Sequence, residues 1–481
     1  MNILVIEASS SAAKTAIYNK KDGIIHIHSV NYSKDISNIK NQNPEGIIQT
    51  VLQAVKEILQ DKSLTINFIA LASVWHSLLY LDDELNPVSD IKTWADVDGA
   101  STARKYREKE ILRSKIYKNT GCNIHSKYPA WKYMHDKEQN LLPLKGEIKI
   151  SSLPEYLFQV FTGERVVSRS SASGTGFLNI HTLDWDKETL DLLGLRKDQF
   201  SKIVEIDYTG KLGEEIAKEL NIPIGTKVLV PSGDGALNQI GENGLTGEVM
   251  TISIGTSGAI RMAADEPILP DSPATWCYYI GDEKRIVGAA TSGAGNCVQW
   301  FKELFDTGEL TFEKLEKTLS KVNLNMPDNL PIFLPFISGE QSPGWNDDKS
   351  GSFCNLKIEN RLGDIYFSVL AGIIFNLYQN YLKIIEIDKE PKKIVLSGGI
   401  TNSKYWLQMA ANIFNKDIYV STVEHSSILG ALKITRKVTN EIKSICEIDQ
   451  KEYHIVQPNI QDVNAMKLLY KKYLQFYELV K

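Results

Sequence analysis

The chain has 481 residues, 43% hydrophobic and 23% charged, with a formal net charge of −5. That length exceeds one ordinary hydrophobic core and predicts two domains of a soluble globular protein. The mild charge gives no support for a nucleic-acid partner, which would need a clustered basic excess, and no stretch approaches the roughly 18 apolar residues that span a bilayer, so neither partner is expected.

Met1 to Ile6 runs straight into a strand-like segment without a basic n-region or cleavage site, so no signal peptide is expected. Ile3 to Ile6, the small residues Ala8 to Ala13 and the run Thr15 to Tyr18 predict a hairpin with a small-residue turn. Ile48, Val51, Leu52, Val55, Ile58 and Leu59 recur at helical spacing, and Ile66 to Ala72 reads as a buried strand ending at Trp75-His76. Val228 to Val230 is a strand running into Pro231-Ser232-Gly233-Asp234-Gly235. The opening pattern then returns: Val249 to Ile254, the tight turn Gly255-Thr256-Ser257-Gly258, and Ala259 to Met262. This echo predicts a duplicated domain, with the boundary in Gly241 to Gly247. Asp364 to Ile385 reads as a long helix, and Lys393 to Leu396 as a strand ended by Ser397-Gly398-Gly399. Asn402 or Ser403 is placed to cap the next helix. The last helix, about Val463 to Val480, carries a packing stripe of Met466, Leu469, Tyr470, Tyr473 and Tyr477. Alternation of strands and helices throughout gives an α/β architecture.

The five cysteines (Cys122, Cys277, Cys297, Cys354, Cys446) include no C-x-x-C pair. They read as small buried apolar residues in a reducing, cytoplasmic compartment. The histidines show no metal spacing; His26 and His28 could meet a metal across a strand face, but a surface position is expected.

Three small-residue turns follow strands: Ser9 to Ser11, Gly255 to Gly258 and Ser397 to Ile400. Backbone N–H groups in such turns can cradle phosphates, and neither a Walker A motif nor a dinucleotide fingerprint is present. Asp234 ends a strand between two glycines, which would let a substrate hydroxyl come close; read alone it is equally an ordinary turn aspartate. A carboxylate there suits phosphoryl transfer, which needs a group to orient the nucleophilic hydroxyl and accept its proton. Glu7, just before the first turn, can face Mg²⁺ through water. Trp75-His76 and Trp94-Ala95-Asp96 suit a sugar, with a ring packing on C–H faces and polar neighbours taking hydroxyls.

These residues resemble the FGGY family of carbohydrate kinases across nearly the whole chain. The matching segments are Ile3 to Tyr18, Ile69 to Asp96, "TGCNIH" (Thr120 to His125), "SASGTGFLNI" (Ser171 to Ile180) and "SGDGALNQIG" (Ser232 to Gly241). "ISIGTSGAIR" (Ile252 to Arg261), "FLPFISGEQSPGWN" (Phe333 to Asn346) and "LSGGITNSKYWLQMAANI" (Leu396 to Ile413) complete the set. The resemblance implies two actin-like, ribonuclease-H-like domains with an interdomain cleft: residues 1–244 on the sugar side and 245–481 on the ATP side. It implies Asp234 as catalytic base, with Trp75, His76, Trp94 and Asp96 at the sugar. Ser10, Lys14, Gly255, Thr256, Ser257, Gly398, Gly399 and Ser403 would meet the nucleotide, and Glu7 and Asp234 would face Mg²⁺. The implied partner is a small sugar or sugar acid; a homodimer stays open.

"VWHSLL" with "TWAD" looks closest to gluconokinase-like members, whereas xylulokinases more usually carry Gln-Met-His-Gly in the first place; xylulose or another sugar remains the alternative. The chain departs from the family pattern at Glu7-Ala8-Ser9-Ser10 (usually D-x-G-T), at Asp98 (usually Arg), at Ser168 (Asp in many members) and at Gln341 (usually Arg). An anion at 98 is expected to disfavour an acidic sugar where it lines the pocket. A protein that binds sugar and nucleotide but transfers phosphate poorly is the alternative of another class.

Overall fold

The computed structural model describes residues 1–480 except 39, 61–63, 144–145, 306–309, 422–424 and 450. β1 (Asn2–Ala8) is buried along almost its whole length, as befits a strand covered on both faces. It pairs antiparallel with β2 (Ala12–Asn19), with Glu7 opposite Lys14, and β2 pairs with β3 (Gly23–Asn31). The three-residue turn between β1 and β2 is closed by its own serine: Ser9 Oγ donates to the Ala12 carbonyl at 2.7 Å and accepts from the Ala12 amide at 3.1 Å. Helix α1 (Pro44–Ile58) starts on Asn43, whose side chain accepts from the Gly46 amide, with proline at the first turn. The predicted Ile48, Val51, Leu52, Val55 and Ile58 are buried together with Ile47, on a helix packed on β2 and β3, while Leu59 lies just past its end and is half-buried.

β4 (Ile66–Ser73) runs parallel to β1, β5 (Thr209–Lys211) forms an edge, and β6 (Lys227–Gly233) runs parallel to β4. The first sheet has the order β5-β6-β4-β1-β2-β3. Between β4 and β5 the chain builds a further layer, including helices Ala100–Arg107, Glu110–Thr120 and Pro129–Glu138. α2 (Asp234–Gly241) follows β6 directly.

The second half repeats the plan with β7 (Val249–Ile254), β8 (Gly258–Ala264), β9 (Trp276–Gly281) and β10 (Lys284–Thr291), then α3 (Gly295–Phe305) and α4 (Leu362–Ile385). β11 (Lys393–Gly398), α5 (Lys404–Phe414), β12 (Ile418–Ser421), α6 (Ser426–Val438), β13 (Tyr453–Val456) and α7 (Ile460–Leu479) complete it. Its sheet has the order β9-β10-β8-β7-β11-β12-β13. Strands β3-β2-β1-β4-β6 and β10-β8-β7-β11-β12 therefore share one order, antiparallel on one side of the first strand and parallel on the other. This is the expected pair of actin-like, ribonuclease-H-like domains, and the turns at Ser9–Ser11 and Gly255–Ser257 occupy equivalent places.

The equivalent helices α2 and α6 pack on each other where the repeats meet. A Cβ on Gly241 would lie 2.0 Å from the Ser426 carbonyl oxygen, and one on Gly430 would lie 2.1 Å from the Leu237 carbonyl oxygen. Glycine at both positions lets the two backbones touch. Apolar packing is continuous across the domains, through Cys122, Tyr128, Trp276 and Tyr278 among others.

One expectation is corrected. α4, with 24 residues and a mean hydropathy of 1.2 over its most apolar window, is long and apolar enough to cross a membrane. Its apolarity has another physical cause: 78% of that window is buried, because α4 is a core helix covered nearly all round. The α7 stripe packs as expected, with Met466, Leu469, Tyr473 and Tyr477 buried. All five cysteines are free; Cys122, Cys277 and Cys297 are buried, while Cys354 and Cys446 are half-buried. His26 is exposed, and half-buried His28 has its Nε2 at 2.5 Å from Glu57 Oε2.

Candidate active site

β6 carries its buried apolar residues up to Gly233, and Asp234 is the first residue of α2. Asp234 is thus a helix-start residue and not a turn aspartate. Its Oδ1 accepts from the Gly235 amide at 2.8 Å. Burial raises the carboxyl above its usual range, and the negative charge of Glu7 raises it further. The flanking glycines do not make room for a substrate. A Cβ on Gly233 would lie 2.1 Å from Trp75 Nε1, and one on Gly235 would lie 2.5 Å from Trp75 Cζ3. The space is already filled by the indole.

Trp75 is 6% exposed and donates its Nε1–H to the Ser170 carbonyl at 3.0 Å. Its ring meets Tyr278 edge-on at 5.0 Å between centroids. His76 is held at a φ of 66°, in the left-handed region that few non-glycine residues adopt. Its Nδ1 lies 2.5 Å from the Gly174 carbonyl oxygen, so Nδ1 carries the proton and Nε2 is left as an acceptor. Burial and the nearby Lys127 keep the imidazole neutral, with its pKa well below the usual value. Trp94 Nε1 donates to Ser10 Oγ at 3.0 Å, tying the "TWAD" segment to the first turn.

These residues line one cavity of about 270 Å³ between the domains: Ser10, Trp75, His76, Trp94 and Asp234 from the first, Ser257, Arg261, Trp276, Tyr278 and Gln341 from the second, with Lys127 on its wall. Asp96 stands apart. It is 4% exposed, lines none of the cavities described here, and accepts from the Asp98 amide at 3.0 Å. Asp98 does not reach the cavity either. Its side chain is 65% exposed and paired with Lys40 at 3.2 Å, so the expected penalty against an acidic sugar does not arise. Ser168 Oγ donates to the Pro231 carbonyl at 2.6 Å and so braces the end of β6.

A second cavity, about 860 Å³, lies over the second domain and is lined by Gly255, Thr256, Asn296, Gly399, Ser403 and the aromatics Trp300, Tyr366 and Trp406. The Gly255 and Thr256 carbonyls accept from the amides of Gly295 and Asn296 at 2.9 and 3.0 Å, which fixes this turn against the start of α3. A Cβ on Gly255 would meet nothing within 4 Å, so its backbone is open to a ligand. Ser403 caps α5, its Oγ accepting from the Trp406 amide at 3.1 Å. Gly398 lines none of the cavities and has φ +91°, with the Ile254 carbonyl where a Cβ would be; it serves the strand end. A third cavity of about 370 Å³ shares Trp94, Lys127, Ser257 and Gln341 with the first and Thr256 and Asn296 with the second. The three form one run across the cleft.

Glu7 is 4% exposed, and its Oε2 accepts no hydrogen bond from the described residues; Lys14 Nζ forms an ion pair with it at 3.6 Å. A buried anionic oxygen without a donor, within the field of Asp234, fits a hard divalent cation. Among the described residues no three His, Cys, Asp or Glu converge on such a site, so water and phosphate oxygens would complete it.

Sequence reading did not single out Lys127, Arg261, Tyr278 or Gln341 as cavity residues, nor Trp300, Tyr366 and Trp406. Lys127 lies just past "TGCNIH" and Arg261 at the end of "ISIGTSGAIR", so both were within reach of the motifs. Their convergence depends on packing between domains, which no local spacing reports.

Two family models describe the chain. The N-terminal domain of the FGGY family of carbohydrate kinases matches residues 2–241, and its C-terminal domain matches residues 250–435. The gluconokinase of Bacillus subtilis (strain 168) is 30% identical, covering 98% of this chain and 97% of its own. The xylulose kinase of Lactococcus lactis subsp. lactis (strain IL1403) is 27% identical, covering 99% and 96%. The crystal structure of gluconate kinase from Lactobacillus acidophilus superposes with a TM-score of 0.93 at 27% identity, covering 99% and 98%. With both halves of its duplicated fold matched, the chain belongs to the FGGY family of carbohydrate kinases.

Proposed function

We propose that this carbohydrate kinase transfers the γ-phosphoryl group of ATP to a hydroxyl of a small sugar or sugar acid, with Asp234 as general base. The observation that carries the reading is Asp234 on the wall of a small cavity of mixed aromatic and polar lining that runs, through shared walls at Ser257 and Thr256, into a larger one edged by an open glycine turn. Asp234 would take the proton of the attacking hydroxyl as its oxygen bonds to the γ-phosphorus, while the bond to the β-phosphate oxygen breaks and ADP leaves. A carboxyl raised by burial accepts that proton more readily than an exposed one.

The sugar is assigned mainly to residues 1–244, with Trp75 and Trp94 offering ring faces and edges and His76 Nε2 accepting from a hydroxyl. Asp96, which lines none of these cavities, accepts from the Asp98 amide. The nucleotide is assigned to residues 245–481, with Gly255, Thr256 and Ser257 toward the phosphates and Gly399 and Ser403 toward the nucleoside. Ser10 would approach from the first turn and Lys14 from β2, and Gly398 sets the strand end. Glu7, with Asp234, would hold Mg²⁺, which when bound neutralises charge on the phosphate oxygens. The free cysteines suit a reducing cytoplasm.

Among acceptors, gluconate comes first, because gluconokinase and gluconate kinase stand among the similar proteins; xylulose is the second reading, on the 27% identity to the Lactococcus enzyme. A coupled ADP-release screen over sugars, polyols and sugar acids tests this. Sugar-dependent ADP production is expected, highest with gluconate; binding of sugar and ATP without ADP production would overturn the kinase assignment in favour of a binding protein.

A further inference from the structure

We propose that Lys127, in the positive field of Arg261, is the carboxylate-recognising residue of the acceptor cavity, so that the acceptor is a sugar acid and not a neutral sugar. The inference rests on the kinase reading above and decides a point that reading leaves between two substrates.

Lys127 is 5% exposed, yet among the described residues it pairs with no carboxylate. Its ammonium makes one long hydrogen bond, 3.4 Å to Gln341 Oε1, and otherwise faces the rings of Tyr128 and Trp345 at 5.1 and 5.6 Å. An unpaired buried ammonium is costly, and burial, with the nearby Arg261 charge, pushes this one down to about 8. Arg261 donates from Nη1 to Ser253 Oγ at 3.0 Å, while its Nε is buried without a partner. The ionisable groups on the cavity wall are thus two cations, the base Asp234, a neutral His76 and the protonated phenol of Tyr278. A neutral sugar would leave Lys127 uncompensated. A carboxylate would supply the missing anion at a buried cation, where a charge-assisted hydrogen bond is strongest.

Lys127 is also held in place. Its amide donates to His125 Nδ1 at 3.1 Å, and His125 in turn meets Asp347 of the second domain.

The test compares D-gluconate with its uncharged analogue D-gluconamide, and with D-xylulose, on the wild-type chain and on Lys127→Met and Lys127→Arg. Kd is read by calorimetry and kcat/KM by ADP release. Wild type is expected to favour gluconate over gluconamide by about 10²-fold, the range for a buried charge pair. Lys127→Met should erase most of that ratio through gluconate affinity, and Lys127→Arg should restore part of it. The ligand comparison needs no variant, so it stands even where Lys127→Met does not fold. Equal affinity of wild type for gluconate and gluconamide overturns the inference. So does a Lys127→Met effect that raises the ATP KM alike with every acceptor, which would place the lysine on phosphate. The two readings fail separately: gluconate binding that depends on Lys127 without any ADP release keeps the subsite and removes the kinase, whereas turnover of xylulose but not gluconate keeps the kinase and removes the subsite.

Discussion

His125 Nε2 stands 2.8 Å from Asp347 Oδ1, joining the first domain to the second inside the cleft. His125 Nδ1 accepts from the Lys127 amide, so Nε2 carries the proton and donates to Asp347 from a neutral ring. Arg107 Nη2 and Ser126 Oγ donate to the same carboxylate at 3.1 and 3.3 Å. Burial alone would raise the Asp347 carboxyl, but the hydrogen bonds from His125 and Arg107 and the Arg107 charge outweigh it and hold it at about 2. A depressed carboxyl stabilises the fold fully above its unfolded value near pH 4, and that contribution is lost as pH falls from about 4 toward 2. Asp347→Ala should cost about 3 kcal/mol at neutral pH, because it strands Arg107. Urea unfolding of the two proteins should show the gap closing below about pH 4; a gap independent of pH would remove the carboxylate from this role.

Gly233 and Gly235 are expected to act through Trp75. Gly233→Ala drives a Cβ into the indole, so it should destabilise by about 1–3 kcal/mol, as overpacking does. The acceptor KM should rise more than the ATP KM. A variant with wild-type acceptor KM would mean that Trp75 does not shape the sugar cavity.

Glu7→Gln removes the negative charge from a buried oxygen that has no donor. The Mg²⁺ concentration giving half-maximal activity should rise about tenfold, as for loss of one charged ligand contact of ~1.4 kcal/mol. Chelation of divalent ions should abolish wild-type turnover. An unchanged Mg²⁺ dependence in Glu7→Gln would move the cation elsewhere.

The cavities run between domains, so closure should exclude water from the γ-phosphate once the acceptor is bound. The radius of gyration from small-angle scattering should fall when saturating gluconate and a non-hydrolysable ATP analogue are added together. No change would count against closure.

Much of the fold was legible in the chain because its signals are local. The repeat of strand, small-residue turn and strand at Ile3–Tyr18 and Val249–Met262 became two sheets with one strand order, and the stripe on α1 became its buried face. The site was legible in its types of residue but not in its geometry. Asp98 drew notice because it departs from the family pattern beside the proposed sugar residues, yet its side chain is exposed and paired with Lys40. Gly233 and Gly235 looked like room for a ligand, yet the room belongs to Trp75, which is remote in sequence. Lys127 lies beside a motif, but nothing in its spacing marks it as a cavity residue. Its meaning comes from burial and from missing counter-charges, and both arise only when the second domain closes over it.

The most direct test of the central claim is steady-state ADP release by Asp234→Asn beside calorimetry of the acceptor on the same variant. Loss of the base should lower kcat by about 10²–10⁴-fold while acceptor affinity changes only a few-fold. A variant that keeps near-wild-type kcat would contradict the assignment of Asp234 as the base.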